Sequence, residues 1–180
     1  AQGVAEVRVR VNMPPAGGGC QVCHAGSSGE ALCVDMVAGD PPVPSADGPE
    51  AGTAIDTSYS LRCSAWSDPE GERGSLVYSF GYMQPSGVGA AALASSTASS
   101  LAAPLPQSPP AGLHVYARVA DARGAAATVS ALVRVLPPAD PTGAAEALLS
   151  DALSGGDLQT QRLAVEAVVT TLNGGGPATT

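Results

Sequence analysis

Short runs of strict apolar/polar alternation, separated by Gly, Pro and Asp turns, constrain this chain more than any other feature. Tyr59, Leu61, Cys63 and Ala65 fall on one side of such a run, with Ser58, Ser60, Arg62 and Ser64 on the other. Leu76, Tyr78, Phe80 and Tyr82 alternate after the turn Asp68-Pro69-Glu70-Gly71. Leu113, Val115, Ala117 and Val119 oppose His114, Tyr116 and Arg118. After the turn Asp121-Ala122-Arg123-Gly124, the residues Val129, Ala131, Val133 and Val135 make the last strand. Val7, Val9 and Val11 alternate with Glu6, Arg8 and Arg10, and Leu32, Val34 and Met36 form a weaker candidate. A period of two places alternate side chains on one face of a strand, so each run reads as half-buried. Two stretches interrupt the pattern: Asp40 to Gly52, rich in Pro and acid, and Ala90 to Gly112, rich in Ala, Ser and Pro. Both read as loops or poorly packed strand edges.

At Pro137-Pro138 the period changes. Asp140 can cap a helix with Pro141 at its first position, and residues 144–153 are good helix formers. Ser154-Gly155-Gly156 breaks that helix, Asp157 caps a second, and Asn173-Gly174 ends it. In the second helix Leu158, Val165, Val169 and Leu172 share one face at helical spacing. That stripe is expected to pack on the strands, on sequence further along the chain, or on a partner. The prediction is a mostly β fold, an immunoglobulin/fibronectin III-like antiparallel β-sandwich followed by a C-terminal α-helical hairpin. The expected division is residues 1–137 for the sandwich, 140–174 for the hairpin and 175–180 for a disordered tail.

Composition narrows the function. The chain has 180 residues, long enough for one medium domain with a real core. Its net charge is −8, and all eight of its basic residues are Arg, so a basic face for nucleic acid is not expected. No apolar run reaches the length of a membrane span, and no signal peptide is visible at Ala1-Gln2-Gly3; the chain reads as a piece of something longer. Any tie to a membrane would run through parent sequence.

Four cysteines, Cys20, Cys23, Cys33 and Cys63, favour two disulfides and an oxidising compartment. Three connectivities are possible. Cys63 points inward on its strand and is expected to bridge to a fixed position across the core; Cys20, after the Gly17-Gly18-Gly19 turn, is the preferred partner. Cys23 and Cys33 would then close a short loop. Cys20-Gln21-Val22-Cys23-His24 also fits c-type haem attachment, with Met13, Met36, Met83 or His114 as a sixth ligand. With one Phe, one Trp and four Tyr, the chain has few aromatic walls for a haem pocket. A zinc site from Cys20, Cys23, His24 and Cys33 has irregular spacing. Asp68 and Glu70 flank Pro69 and, with Asp121, are of calcium-ligand type; as turn carboxylates they read as structural, so no metal or cofactor is expected. His24 and His114 lie far apart, with no serine or cysteine context resembling a triad, so no catalytic residues and no enzyme are expected. Ser95 to Ser100 and Thr179-Thr180 could carry O-linked sugar.

With these residues in view, the segment Met13 to Val22 resembles the opening of a receptor-for-egg-jelly (REJ) module, as found in polycystin-type membrane receptors. Gly52 to Asp68, with Cys63 and Trp66, resembles that module's second Cys strand. Leu76-Val77-Tyr78-Ser79-Phe80-Gly81-Tyr82 is similar to its Leu-x-Tyr-x-Phe strand, and Gly112 to Asp121 with Gly124 to its last hairpin. The tail ending Val168 to Asn173 resembles the segment leading to an autoproteolysis-inducing (GAIN) region, although the cleavage motif itself is absent. The resemblance implies a Cys20–Cys63 disulfide with Trp66 as the core aromatic beside it, and it leaves Cys23 and Cys33 as an extra pair in an insertion. It further implies a non-enzymatic extracellular module of a polycystin-like cell-surface or ciliary protein, for adhesion, mechanical sensing or spacing. The implied partner is a protein: a polycystin-type channel or neighbouring domains of the same chain. The contact surfaces expected are the loop Asp40 to Gly52 and the insert Cys23 to Cys33. Two alternatives stand beside this: a structural repeat of a matrix or appendage filament, joined through the Leu158 stripe, and a c-type haem protein.

Overall fold

The computed structural model describes residues 11–26, 28–39, 51–70, 75–83, 89–155 and 157–174. The strand expected around Val7 and Val9, most of the loop from Asp40, and the tail 175–180 lie outside the described residues. Among the described residues ten strands and two helices follow one another: β1 (Gly19–Ala25), β2 (Ala31–Met36), β3 (Gly52–Thr53), β4 (Ser58–Ser64), β5 (Val77–Met83) and β6 (Ala90–Ser96). Then come β7 (Ser100–Pro104), β8 (Leu113–Ala120), β9 (Ala126–Val133), β10 (Val135–Leu136), α1 (Pro141–Gly155) and α2 (Leu158–Gly174). The fold is mostly β, with antiparallel main sheets and a C-terminal helical hairpin. One sheet has the order β2-β1-β4-β7, the other β6-β5-β8-β9, and a short parallel pair joins β10 to β3.

The alternation explains the core. Cys20 and Val22 of β1, Tyr59, Leu61 and Cys63 of β4, Phe80 and Tyr82 of β5, and Val115, Ala117 and Val119 of β8 fill one cluster between the two sheets. Tyr59, Phe80 and Tyr82 are its large side chains, almost fully excluded from solvent. Burying each ring contributes about 1.5–3 kcal/mol of transfer free energy, so these three matter greatly in an aromatic-poor chain.

Three expectations change. Ala65 does not continue the β4 face: it is exposed with φ of 60°, so the strand ends at Ser64. Val135 leaves the last long strand at Arg134 and pairs instead with Gly52 in β10. Residues 90–112 hold two strands, β6 and β7, each an edge of a different sheet. Ala91, Leu93, Ala103 and Leu105 are buried there. Small Ala side chains give little local signal, yet they fit where an edge strand tucks against its neighbour.

Each open side carries contacts that partly protect the strand edges. On one side Val37, just past β2, and Ser130, within β9, form an antiparallel bridge, and the Ser130 hydroxyl donates to the Gly39 carbonyl at 3.3 Å. On the other, α2 lies against the β6 and β7 edges. The Arg162 guanidinium donates to the Ala92 carbonyl at 2.9 Å, and the Gln159 amide to the Leu93 carbonyl. Asp140 Oδ1 accepts from Gly143 N at 3.0 Å and Asp157 Oδ1 from Thr160 N at 2.8 Å, so both helices start at the carboxylate caps read from sequence. The buried face of α2 consists of Leu163, Ala164, Ala167, Val168 and Thr171. The larger stripe faces away from the strands: Leu158 is 83% exposed, and Val165, Val169 and Leu172 about half.

Candidate functional site

β1 is the most constrained strand of the molecule. Successive residues point to opposite faces, so Cys20 and Val22 enter the core while Cys23 points outward. Cys20 stands directly opposite Cys63 in the β1–β4 ladder, and Cys23 directly opposite Cys33 in the β1–β2 ladder. Each pair has Cα atoms 4.1 Å apart and is joined by a disulfide. That separation is typical of the close, non-hydrogen-bonded positions of antiparallel strands. The Cys20–Cys63 bridge joins neighbouring strands of one sheet; it does not cross the core to the second sheet, because Cys63 and Cys20 pack side by side on the inner face. The haem reading fails on the same geometry. Both thiols of Cys20 and Cys23 are consumed, and their sulfurs lie on opposite faces of a strand, where no single macrocycle meets both. Zinc through Cys20, Cys23, His24 and Cys33 fails with it, since no thiolate is left.

Around this stapled strand lies a groove of about 690 Å³, of mixed polar and apolar lining, on the sheet β2-β1-β4-β7. Gln21, Asp35, Ser60, Arg62 and Ser100 line it. Gln21 donates to Asp35 at 2.7 Å, and Arg62 to the Ser60 hydroxyl at 2.8 Å, so the groove presents pre-ordered hydrogen-bonding groups. His24, half-buried at the far end of β1, packs its ring against Tyr59 with centroids 5.3 Å apart. Burial pushes the Tyr59 phenol well above its ordinary range; the Gly52 backbone, close against the hydroxyl, offsets part of that. Trp66 is half-buried at the rim of the core, over Gly18. His114 sits half-buried on the outer face of β8, away from His24.

A family model described as the REJ domain matches residues 1–166, nearly the whole chain. The chain belongs to the REJ-domain family. REJ domains are non-catalytic extracellular modules, and two disulfides accord with an oxidising compartment. No curated protein and no solved structure matches the chain. The family match runs through α1 and into α2.

Two features of this REJ domain go beyond its disulfides. One is the α2 stripe, which sequence periodicity marked as apolar and which stays half or more exposed among the described residues. The other is a set of carboxylates: Asp68 and Glu70 of one turn and the remote Asp121 each bring an oxygen within 4.8 Å of the others. Their residue types were legible in the sequence. Their convergence depends on how the turn after β4 meets the β8–β9 hairpin. The Gln21/Arg62 groove was not legible at all, because its polar residues are simply the outward half of each alternating run.

Proposed function

We propose that this REJ domain is a non-enzymatic, load-tolerant spacer in a polycystin-like cell-surface protein, serving adhesion or mechanical sensing while presenting a contact face to a protein partner. The observation that carries the reading is the family match combined with the double stapling of β1. Load entering from the N-terminal side reaches Cys20 and passes directly through its disulfide into β4, so the 43-residue separation between Cys20 and Cys63 is shielded from extension. The Cys23–Cys33 hairpin lies inside that shielded stretch, and it and the sequence segment 40–52 are the contact surfaces of this reading. Partners of this face are a polycystin-type channel or neighbouring domains, and the membrane in question is the cell surface or cilium. The strand order, once β2 is set aside as an inserted edge strand, supports the fibronectin III-like form of the sandwich. The test is single-molecule extension of the domain between its ends. Expected is an unfolding event well above the force that straightens an unfolded chain; extension with no such barrier refutes the spacer reading.

The exposed α2 stripe favours a second reading, a structural repeat joined through homotypic contacts. It predicts that the isolated domain self-associates at raised concentration and that Leu158→Ser with Val169→Ser abolishes this. Sedimentation equilibrium showing a monomer throughout would discard it.

A further inference from the structure

We propose that Asn12, Asp68, Glu70 and Asp121 form a calcium-binding site that ties the lead-in to β1, the turn after β4 and the β8–β9 hairpin together. The three segments are remote in sequence: Asn12 and Asp121 are 109 residues apart, and Met13 and Glu70 are 57 apart. Each carboxylate is fixed by one oxygen. Asp121 Oδ1 accepts from Arg123 N at 2.8 Å, from Ala125 N at 3.0 Å and from Asn12 Nδ2 at 3.4 Å. Glu70 Oε1 accepts from Met13 N at 2.7 Å, and Asp68 Oδ1 from Glu70 N at 2.9 Å.

The second oxygens decide the matter. Asp121 is only 7% exposed, and its Oδ2 is buried with no hydrogen-bond partner. Glu70 Oε2 and Asn12 Oδ1 are likewise buried and unpartnered. Buried polar atoms in folded proteins are almost always paired, and a carboxylate oxygen only accepts, so it needs a proton donor or a cation. Three unpaired oxygens, all from residues joined by the bonds above, call for one shared positive centre. One carboxylate oxygen from each of Asp68, Glu70 and Asp121 lies within 4.8 Å of the other two. Calcium binds oxygens at about 2.3–2.6 Å, so two ligands on opposite sides of one ion stand about 4.6–5.2 Å apart, and the cluster has that reach. The donor set is oxygen only, three carboxylates and an amide, which suits a hard cation and not zinc. Calcium tolerates irregular coordination, whereas magnesium demands a smaller octahedral shell and retains its waters. Calcium sites in extracellular modules bind at about 0.1–1 mM.

The experiment is calorimetric melting of the 180-residue chain, stripped with chelator and then titrated with CaCl2 or MgCl2. Glu70→Gln and Asp68→Asn are the test variants, because each keeps the oxygen that accepts from the backbone. Asp121 is left intact since it organises the hairpin turn. Expected is a saturable rise in melting temperature with calcium, a smaller effect of magnesium, and an apparent affinity weakened at least about tenfold in both variants. Circular dichroism in chelator confirms that the variants are folded. The proposal is overturned if about 10 mM calcium leaves the melting temperature unchanged, or if the shift is equal in the variants, which would mean diffuse binding to an acidic chain.

Discussion

Opening the Cys20–Cys63 bridge separates what this disulfide does for stability from what it does under load. The double variant Cys20→Ala/Cys63→Ala frees a loop spanned by a sequence separation of 43 residues. By the chain-entropy argument such a loop is worth about 4 kcal/mol, through restriction of the unfolded chain. For a domain of this size each kcal/mol shifts the melting temperature by about 2–4 °C, so the loss is about 8–16 °C. Under force the same change is a length. A stretched chain spans about 3.5 Å per residue, so full release of 43 residues adds about 150 Å to the unfolded contour. In the variant the nested Cys23–Cys33 bridge still hides a separation of 10, leaving 33 residues and about 115 Å. Adding reductant releases the remaining 35 Å or so. Cys23→Ala/Cys33→Ala makes the control: it costs about 3 kcal/mol on the same argument yet leaves the contour unchanged, because its loop lies within the one still locked. The assay is constant-velocity pulling with the length of each unfolding step as readout. Equal steps in wild type and Cys20→Ala/Cys63→Ala would refute the nested pairing. The expected step with an undiminished unfolding force would instead refute the role of the bridge in carrying load.

Gly18→Ala is expected to cost about 1–3 kcal/mol in thermal unfolding, because a methyl there collides with the Trp66 indole and meets the Ser64 carbonyl at 2.6 Å. A melting temperature equal to wild type would show that Trp66 moves aside freely. Ala65→Gly should stabilise the domain by about 0.5–1 kcal/mol: relief of the left-handed conformation at φ of 60° outweighs the added freedom of the unfolded chain. A lower melting temperature would mean that the backbone there is not strained. Tyr59 and Tyr82 both have phenols pushed up from the ordinary value near 10; burial is the main cause for each, and the Glu166 carboxylate adds to it at Tyr82. A raised folded pKa contributes stability that is complete below about pH 10 and lost as pH rises through the folded values. Chemical denaturation at stepped pH should therefore show stability falling above about pH 10, and a flat profile from about pH 9 to 12 would contradict the burial of these hydroxyls.

The strands and helix caps were legible because their signals are local. Alternation marks β4, β5 and β8 within a few residues each, and Asp140 and Asp157 announce helices by chemistry that acts over one turn. The facing of α2 was not legible in the same way. Its large apolar residues, Leu158, Val165, Val169 and Leu172, form the stronger stripe by hydropathy, yet the structure buries Leu163, Ala164, Ala167, Val168 and Thr171. Packing distance bears on the choice: Ala164 and Ala167 between Leu163 and Val168 let the helix come close to the β6 and β7 edges, near enough for Gln159 and Arg162 to reach carbonyls of β6. Unpaired edge carbonyls are a tertiary demand, invisible to a hydrophobicity pattern. The strands β6 and β7 escaped full recognition for a related reason, since Ala and Ser mark neither face.

The carboxylate cluster and the stapled strand follow from one constraint. A chain this poor in aromatics has few large side chains with which to hold β1, and that strand is secured by covalent bonds on both faces. That leaves the segment before β1 as the part with least support: between Val11 and Gly18 only Pro15 is buried, and the bridge between Ala16 and Ser67 is its one ladder contact among the described residues. Asn12 and Met13 hydrogen-bond to Asp121 and Glu70, the residues whose remaining oxygens are unpaired. A cation held there would fasten the lead-in to the β8–β9 hairpin of the opposite sheet, at the place where the disulfides give no help. Load arriving at the N-terminal side would then meet a calcium-dependent contact before it meets Cys20. The two devices would act in series, one reversible with ion concentration and one covalent. Pulling experiments with and without calcium would therefore differ in an early, short event and agree in the later large one.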